Sequence, residues 1–187
     1  MNCVAEYKHW RNSQEPGALM FATTTCLAFA HLFAREEMRE RLLAKLTDDV
    51  LFYGATIHAF CVMPHHLHVV ARAPETKTMS WFMQRFKSNS AKVLLPHLLP
   101  SELRAMAPER GNQGHQMWKV SFRGIPIRTE RVFWSTIRYV HLNPVRWGMV
   151  SRPEEYAWSS AMLFESCKWR EEDGVNGPLR TWFEAGV

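Results

Sequence analysis

Two apolar runs divided by a proline turn constrain this chain more than any other stretch of it. LFYGATIHAFCVM, residues 51–63, is rich in β-branched and aromatic side chains and stops at Met63-Pro64. Proline has no N–H for a sheet ladder and pushes its predecessor toward extended geometry, so a turn belongs at Pro64. HHLHVVARA, residues 65–73, then alternates apolar positions and reads as the returning strand. A hairpin so tightly joined commits the fold to an antiparallel sheet.

The segments around the hairpin supply the other layers. After the turn at Glu15-Pro16-Gly17, ALMFATTTCLAF (residues 18–29) reads as a strand. Glu36 to Leu46 reads as a helix, with early acids and a later lysine matching the helix dipole. Lys77 to Leu95 has helical spacing, with Met79, Phe82, Met83, Phe86 and Val93 as its apolar stripe. The stretch from Pro96 to Gln116 is broken by Pro and Gly and reads as a long loop. MWKVSFRGIPIRT, residues 117–129, is extended again. Thr129 is a candidate cap for a last strong helix that seats Phe133, Ile137 and Val140 on the sheet and weakens at Asn143-Pro144. The order is α+β, helices packed on an antiparallel sheet, in one domain over residues 1–165 with a C-terminal extension at 166–187.

Four cysteines, Cys3, Cys26, Cys61 and Cys167, lie far apart, which argues against a zinc knuckle or a disulfide scaffold and for a reducing compartment. The start has no secretory core, and residues 18–34 are too short and polar to span a bilayer; a cytoplasmic protein with no membrane partner is expected. The net charge is +5, but its placement matters more. Residues 72–146 carry thirteen Lys/Arg against four Asp/Glu, between mildly acidic flanks. That segment suits a polyanion or, equally, a solvated basic face.

Chemistry concentrates at two places. His66 and His68 are two apart in a strand and so project from the same face, a half-site for a divalent metal or a pair of satisfied surface histidines. His65 has the wrong parity and belongs to the turn. Tyr139 and Asn143 are four apart in the last helix and share a face about one turn along it. Tyr139 stands beside the apolar stripe, able to reach a cleft or to pack at the core edge. A metal held by two histidines can polarise a phosphodiester that a tyrosine hydroxyl attacks. Tyrosine, with a pKa of about 10, needs such help at neutral pH.

CVMPHHLHVV, MSWFMQRFKSNSAK, MWKVSFRGIPIRTE and RYVHLNPVRWGMVSRPEEYAWSSA, in this order, resemble the REP-associated tyrosine transposases, members of the single-tyrosine HUH transposases. The resemblance covers about residues 17–161. It implies a ferredoxin-like antiparallel sheet with helices packed on one face, and cleavage of single-stranded DNA at hairpin-forming palindromic repeats. It further implies that His66, His68 and Asn143 hold Mg2+ or Mn2+, and that Tyr139 is the nucleophile. A 5′-phosphotyrosine link would conserve the energy of the broken bond, so no nucleotide cofactor is needed. His65 stands where that family usually has a small polar residue. Arg85, Lys87 and Lys92, with Lys119, Arg123 and Arg128, are the candidates for tracking a DNA backbone. Trp81 and Trp118 suit core packing better than base stacking. Monomer and homodimer both stay open. Two other readings remain: a metal-dependent nuclease that uses water, and a domesticated DNA- or RNA-binding module without activity.

Overall fold

The computed structural model describes residues 12–110 and 116–166. Its elements are β1 (Leu19–Thr25), α1 (Glu36–Tyr53), β2 (Thr56–Met63), β3 (His66–Arg72), α2 (Met79–Leu94), α3 (Pro100–Arg110), β4 (Arg123–Pro126), α4 (Glu130–Arg146) and α5 (Ala161–Ser166). The strands form one antiparallel sheet in the order β2-β3-β1-β4. This is the α+β, ferredoxin-like arrangement expected. Among the described residues, no helix is long and apolar enough to cross a membrane. The extension expected at 166–187 lies, from residue 167 on, outside the described residues.

Strand alternation divides the core in two. Met20, Ala22, Phe60, Val62, Leu67 and Val69 face α1 and α2 and join Met38, Leu42, Leu46, Phe82 and Phe86 in the larger cluster. Phe21, Ala59, Cys61, Met63 and Val70 face the other way and meet Phe133, Ile137 and Val140 of α4. The helices therefore occupy both faces of the sheet, where a single face was expected. The reason is parity: β1, β2 and β3 each carry apolar residues at consecutive positions, so both faces need cover. In β2 the ladder slips at His58, since Ile57 pairs with Ala71 and Ala59 with Val70. His58 is the surplus residue of a β-bulge.

Three local readings need correction. α1 continues to Tyr53, so Leu51 to Tyr53, expected in a strand, close a helix instead. Buried Asp49 fixes those last turns: Lys45 Nζ lies 2.7 Å away, and Asn89 of α2 donates both to Asp49 (3.1 Å) and to the Tyr53 hydroxyl (3.1 Å). Gly54, at φ +71°, then ends the helix in a conformation that few side chains tolerate. The segment expected as a loop from Pro96 to Gln116 holds α3, which opens on Pro100, a residue suited to a first helical position. Val93 leaves the α2 stripe, which continues through Ser90, Ala91 and Leu94, and is 38% exposed.

α4 passes through Asn143-Pro144, where weakening was expected, and runs on to Arg146. Proline lacks the N–H that would reach the Val140 carbonyl, and the Asn143 side-chain amide adds a bond to the adjacent Tyr139 carbonyl at 2.7 Å, reinforcing the weakened turn. The helix closes later, where Met149 N–H donates to Pro144 and Gly148 N–H to Val145, with Gly148 left-handed at φ +65°. The Thr78 and Thr129 hydroxyls accept from Trp81 N–H (3.1 Å) and Val132 N–H (3.3 Å) and cap α2 and α4.

Candidate active site

The register of three strands builds the site. Cys61, His68, Thr23 and Arg123 stand opposite one another on successive strands, and Met63, His66 and Thr25 form the next rung. All of these positions share the sheet face that α4 covers. His66 and His68 thus project together, as their spacing requires, and their Nε2 atoms are 2.9 Å apart. The other ring nitrogen of His68, Nδ1, lies 2.7 Å from the Thr23 hydroxyl. Which of these nitrogens carries a proton depends on the tautomer, but the two Nε2 atoms face one another and Nδ1 faces Thr23.

From above, α4 lowers two residues toward this pair. Asn143 is buried and hydrogen-bonds His68. Tyr139 is 40% exposed, with its ring 5.8 Å from that of His68 and 5.7 Å from that of Phe21. The Arg146 guanidinium carbon is 5.1 Å from the Tyr139 ring centroid, so a fixed cation accompanies the phenol.

Burial pushes the His66 imidazole down to about 3, helped by His68 and His65 beside it. Burial likewise pushes His68 down to about 4, against its hydrogen bond to the Asn143 amide oxygen, which raises it. Both rings are therefore neutral at pH 7, the form that binds a metal. Among the described residues no three of His, Cys, Asp and Glu gather as a metal site. A third protein ligand would have to be the Asn143 amide oxygen. Two neutral imidazoles and an amide oxygen are a mixed donor set able to coordinate a divalent cation.

The basic residues distribute unevenly. Lys119 and Arg123 are on the site's side: Arg123 shares the rung of His68, and Lys119 donates its N–H to Thr25, at the end of β1. Arg128 is exposed and pairs with Glu15 at 3.2 Å. Arg85, Lys87 and Lys92 lie on α2, across the sheet from the imidazoles, so the fold does not bring them to this site. Lys87 is moreover committed to its own chain: its ammonium donates to the carbonyls of Lys119 (2.5 Å), Val120 (2.7 Å) and Ser121 (3.3 Å). Burial brings it down to about 8. Those bonds explain why 119–121, expected to be extended, needs no strand partner. Trp118 is core, its Nε1–H donating to Ser90 at 3.0 Å, and Trp81 packs on Tyr53 with ring centroids 5.2 Å apart. Sequence reasoning missed Thr23, whose contact with His68 spans 45 residues and carries no local signal. His141 meets the Ser160 hydroxyl at 2.8 Å, away from the imidazole pair.

Among solved structures, the fold resembles that of a REP-associated tyrosine transposase bound to a REP hairpin, with a TM-score of 0.65, 18% identity, and 82% of each chain covered. A protein of Deinococcus radiodurans R1 assigned as a transposase is also similar, with a TM-score of 0.43 and 17% identity over 70% of this chain and 95% of that one. A comparison with curated protein sequences found no match. The family model described as "Transposase IS200 like" matches residues 29–141, more than half of the chain, and takes in His66, His68 and Tyr139. The chain belongs to the IS200-like transposase family.

Proposed function

We propose that this chain is a cytoplasmic transposase that nicks and rejoins single-stranded, hairpin-forming DNA through a covalent tyrosine intermediate. The observation that carries the reading is the convergence of α4 and β3: Tyr139 and Asn143 meet His66 and His68 on one sheet face, with the Tyr139 and His68 rings 5.8 Å apart. His66, His68 and Asn143 would hold Mg2+ or Mn2+, which when bound would polarise the scissile phosphodiester and favour the departing oxygen.

The chain's own residues do the rest. Tyr139 oxygen attacks phosphorus and loses its proton; the bond from phosphorus to the 3′ oxygen breaks, and that oxygen leaves as a free hydroxyl. A 5′-phosphotyrosine remains, and attack by a 3′-hydroxyl reverses the step, so no nucleotide cofactor is required. Arg146 beside the phenol attracts the phosphodiester. Thr23 holds His68 in one orientation from behind. Lys119 and Arg123 are the backbone contacts nearest the site, with Arg128 farther out; Arg85 and Lys92 would serve only DNA that wraps to the α2 side. Because Tyr139 reaches His68 within one chain, a tyrosine serving its own imidazoles is the arrangement supported, in a monomer or a homodimer.

The test is denaturing electrophoresis of the protein with labelled hairpin DNA from the sequence flanking its gene, with and without Mn2+. A metal-dependent shifted band in the wild type and none in Tyr139→Phe is the expected result. Cleavage by both proteins without an adduct would replace this mechanism with a water-using nuclease. DNA bound but cut by neither would favour a binding module.

A further inference from the structure

Immediately after β1 the backbone does something unusual. Ala28 and Phe29 are consecutive non-glycine residues in the left-handed region, at φ 51° and 52°. Each such residue is sterically disfavoured, and strain of this kind persists where the surroundings hold it. Its result here is to present Phe29 to solvent, 55% exposed.

Phe29 is not alone. Its ring is 5.7 Å from that of His65, the turn residue between β2 and β3. His31 stacks on His65 at 5.3 Å and 18°, and Trp147, at the end of α4 and also 55% exposed, lies 5.4 Å from His65. Three rings, two from the segment after β1 and one from the end of α4, thus gather around one buried imidazole. Its Nδ1 is buried and has no hydrogen-bond partner, a place the protein leaves unsatisfied. The cluster is continuous with the candidate active site, since the His65 and His66 rings are 4.5 Å apart and Trp147 is 6.4 Å from His66. Lys119 sets its ammonium 3.6 Å from the Phe29 ring centroid, so positive charge borders the apolar surface.

A protein surface that is aromatic, partly exposed and edged by a cation suits a flat, apolar-faced group attached to an anion. An unpaired nucleotide is such a group: its base stacks on rings, and its phosphate meets the lysine. We propose that Phe29, His31 and Trp147, gathered on His65, seat one unpaired base of the DNA strand beside His66, with Lys119 on the adjoining phosphate. This rests on the single-stranded DNA reading above and adds a seat that fixes which nucleotide lies next to the scissile bond.

The experiment is fluorescence anisotropy of the full chain with a labelled hairpin oligonucleotide carrying a single-stranded arm from the gene's flanking sequence. EDTA is present, so no chemistry intervenes. Each arm position is replaced in turn by an abasic residue. Phe29→Ala and Trp147→Ala should each weaken binding about tenfold, while Trp147→Phe keeps it. One abasic position should weaken wild-type binding about as much, yet cost Phe29→Ala nothing further, the non-additivity of groups in contact. Wild-type affinity in Phe29→Ala, or additive losses at every abasic position, would remove the seat and leave the transposase reading intact. The seat is likewise removed if Phe29→Ala keeps DNA affinity but turns a dimer into a monomer in sedimentation, which would make the patch a contact between copies. Failure of the wild type to bind the arm at all would overturn both readings.

Discussion

The two faces of this sheet are built from the same three strands, one residue out of phase, yet they differ in kind. The face toward α1 and α2 is mainly apolar: Phe60, Phe82, Phe86, Leu42 and Leu46 are almost wholly buried, and Thr24, Asp49 and Ser90 are buried polar groups there. The face toward α4 has a smaller apolar cluster and buries His66, His68, His141 and Asn143 within it or at its edge. The first face holds the molecule together; the second holds polar groups in a fixed array beside the exposed Tyr139. Alternation along a strand lets a small domain separate these tasks without a second domain.

That contrast is open to breakage. On the more apolar face, Phe86→Ala should cost about 3–5 kcal/mol of unfolding free energy in denaturant titration, because a large side chain leaves a cavity. On the other face, His68→Ala should cost much less stability but end Mn2+ binding in calorimetry; equal stability losses would contradict the division.

A finer cut is Thr23→Val, which keeps shape and removes the hydroxyl behind His68. It should weaken divalent-metal affinity about tenfold or more while shifting stability little. Unchanged affinity would make Thr23 mere packing.

Acid should attack the α4 face first. Burial pushes His58 and His141 from 6.5 down to about 4 each, so the unfolded chain takes up their protons before the native one does. Stability is then full above pH 6.5 and falls as pH drops from 6.5 toward 4, a slope that His141→Gln should flatten in unfolding midpoints measured across that window. The smallest effect expected is from Lys87→Met, about 1 kcal/mol, with faster proteolysis near residues 119–121 as the sharper readout.

What was legible beforehand was whatever depends on short-range period and turn chemistry. The Pro64 turn, the shared face of His66 and His68, the cap at Thr129 and the stripe of Phe133, Ile137 and Val140 all follow from spacing within a few residues. What was hidden depends on partners far along the chain. Asp49 holds α1 past its expected end with the help of Asn89, 40 residues away, and Lys87 lies outside the site because α2 packs on the opposite sheet face, where it bonds carbonyls 32 to 34 residues away. The weak turn at Pro144 was legible, but not the side-chain bond from Asn143 to the Tyr139 carbonyl that reinforces it.

The bulge at His58 sets where this chain can change length. Ile57 already faces Ala71 and Ala59 already faces Val70, so β2 has one residue more than its partner uses. A descendant that loses His58 would close the ladder and keep every later side chain on its present side. One that loses a residue between Phe60 and Met63 would turn the remainder of the strand over against β3. Insertions and deletions in such a chain are thus filtered by strand parity, and the irregular point is the one most open to them.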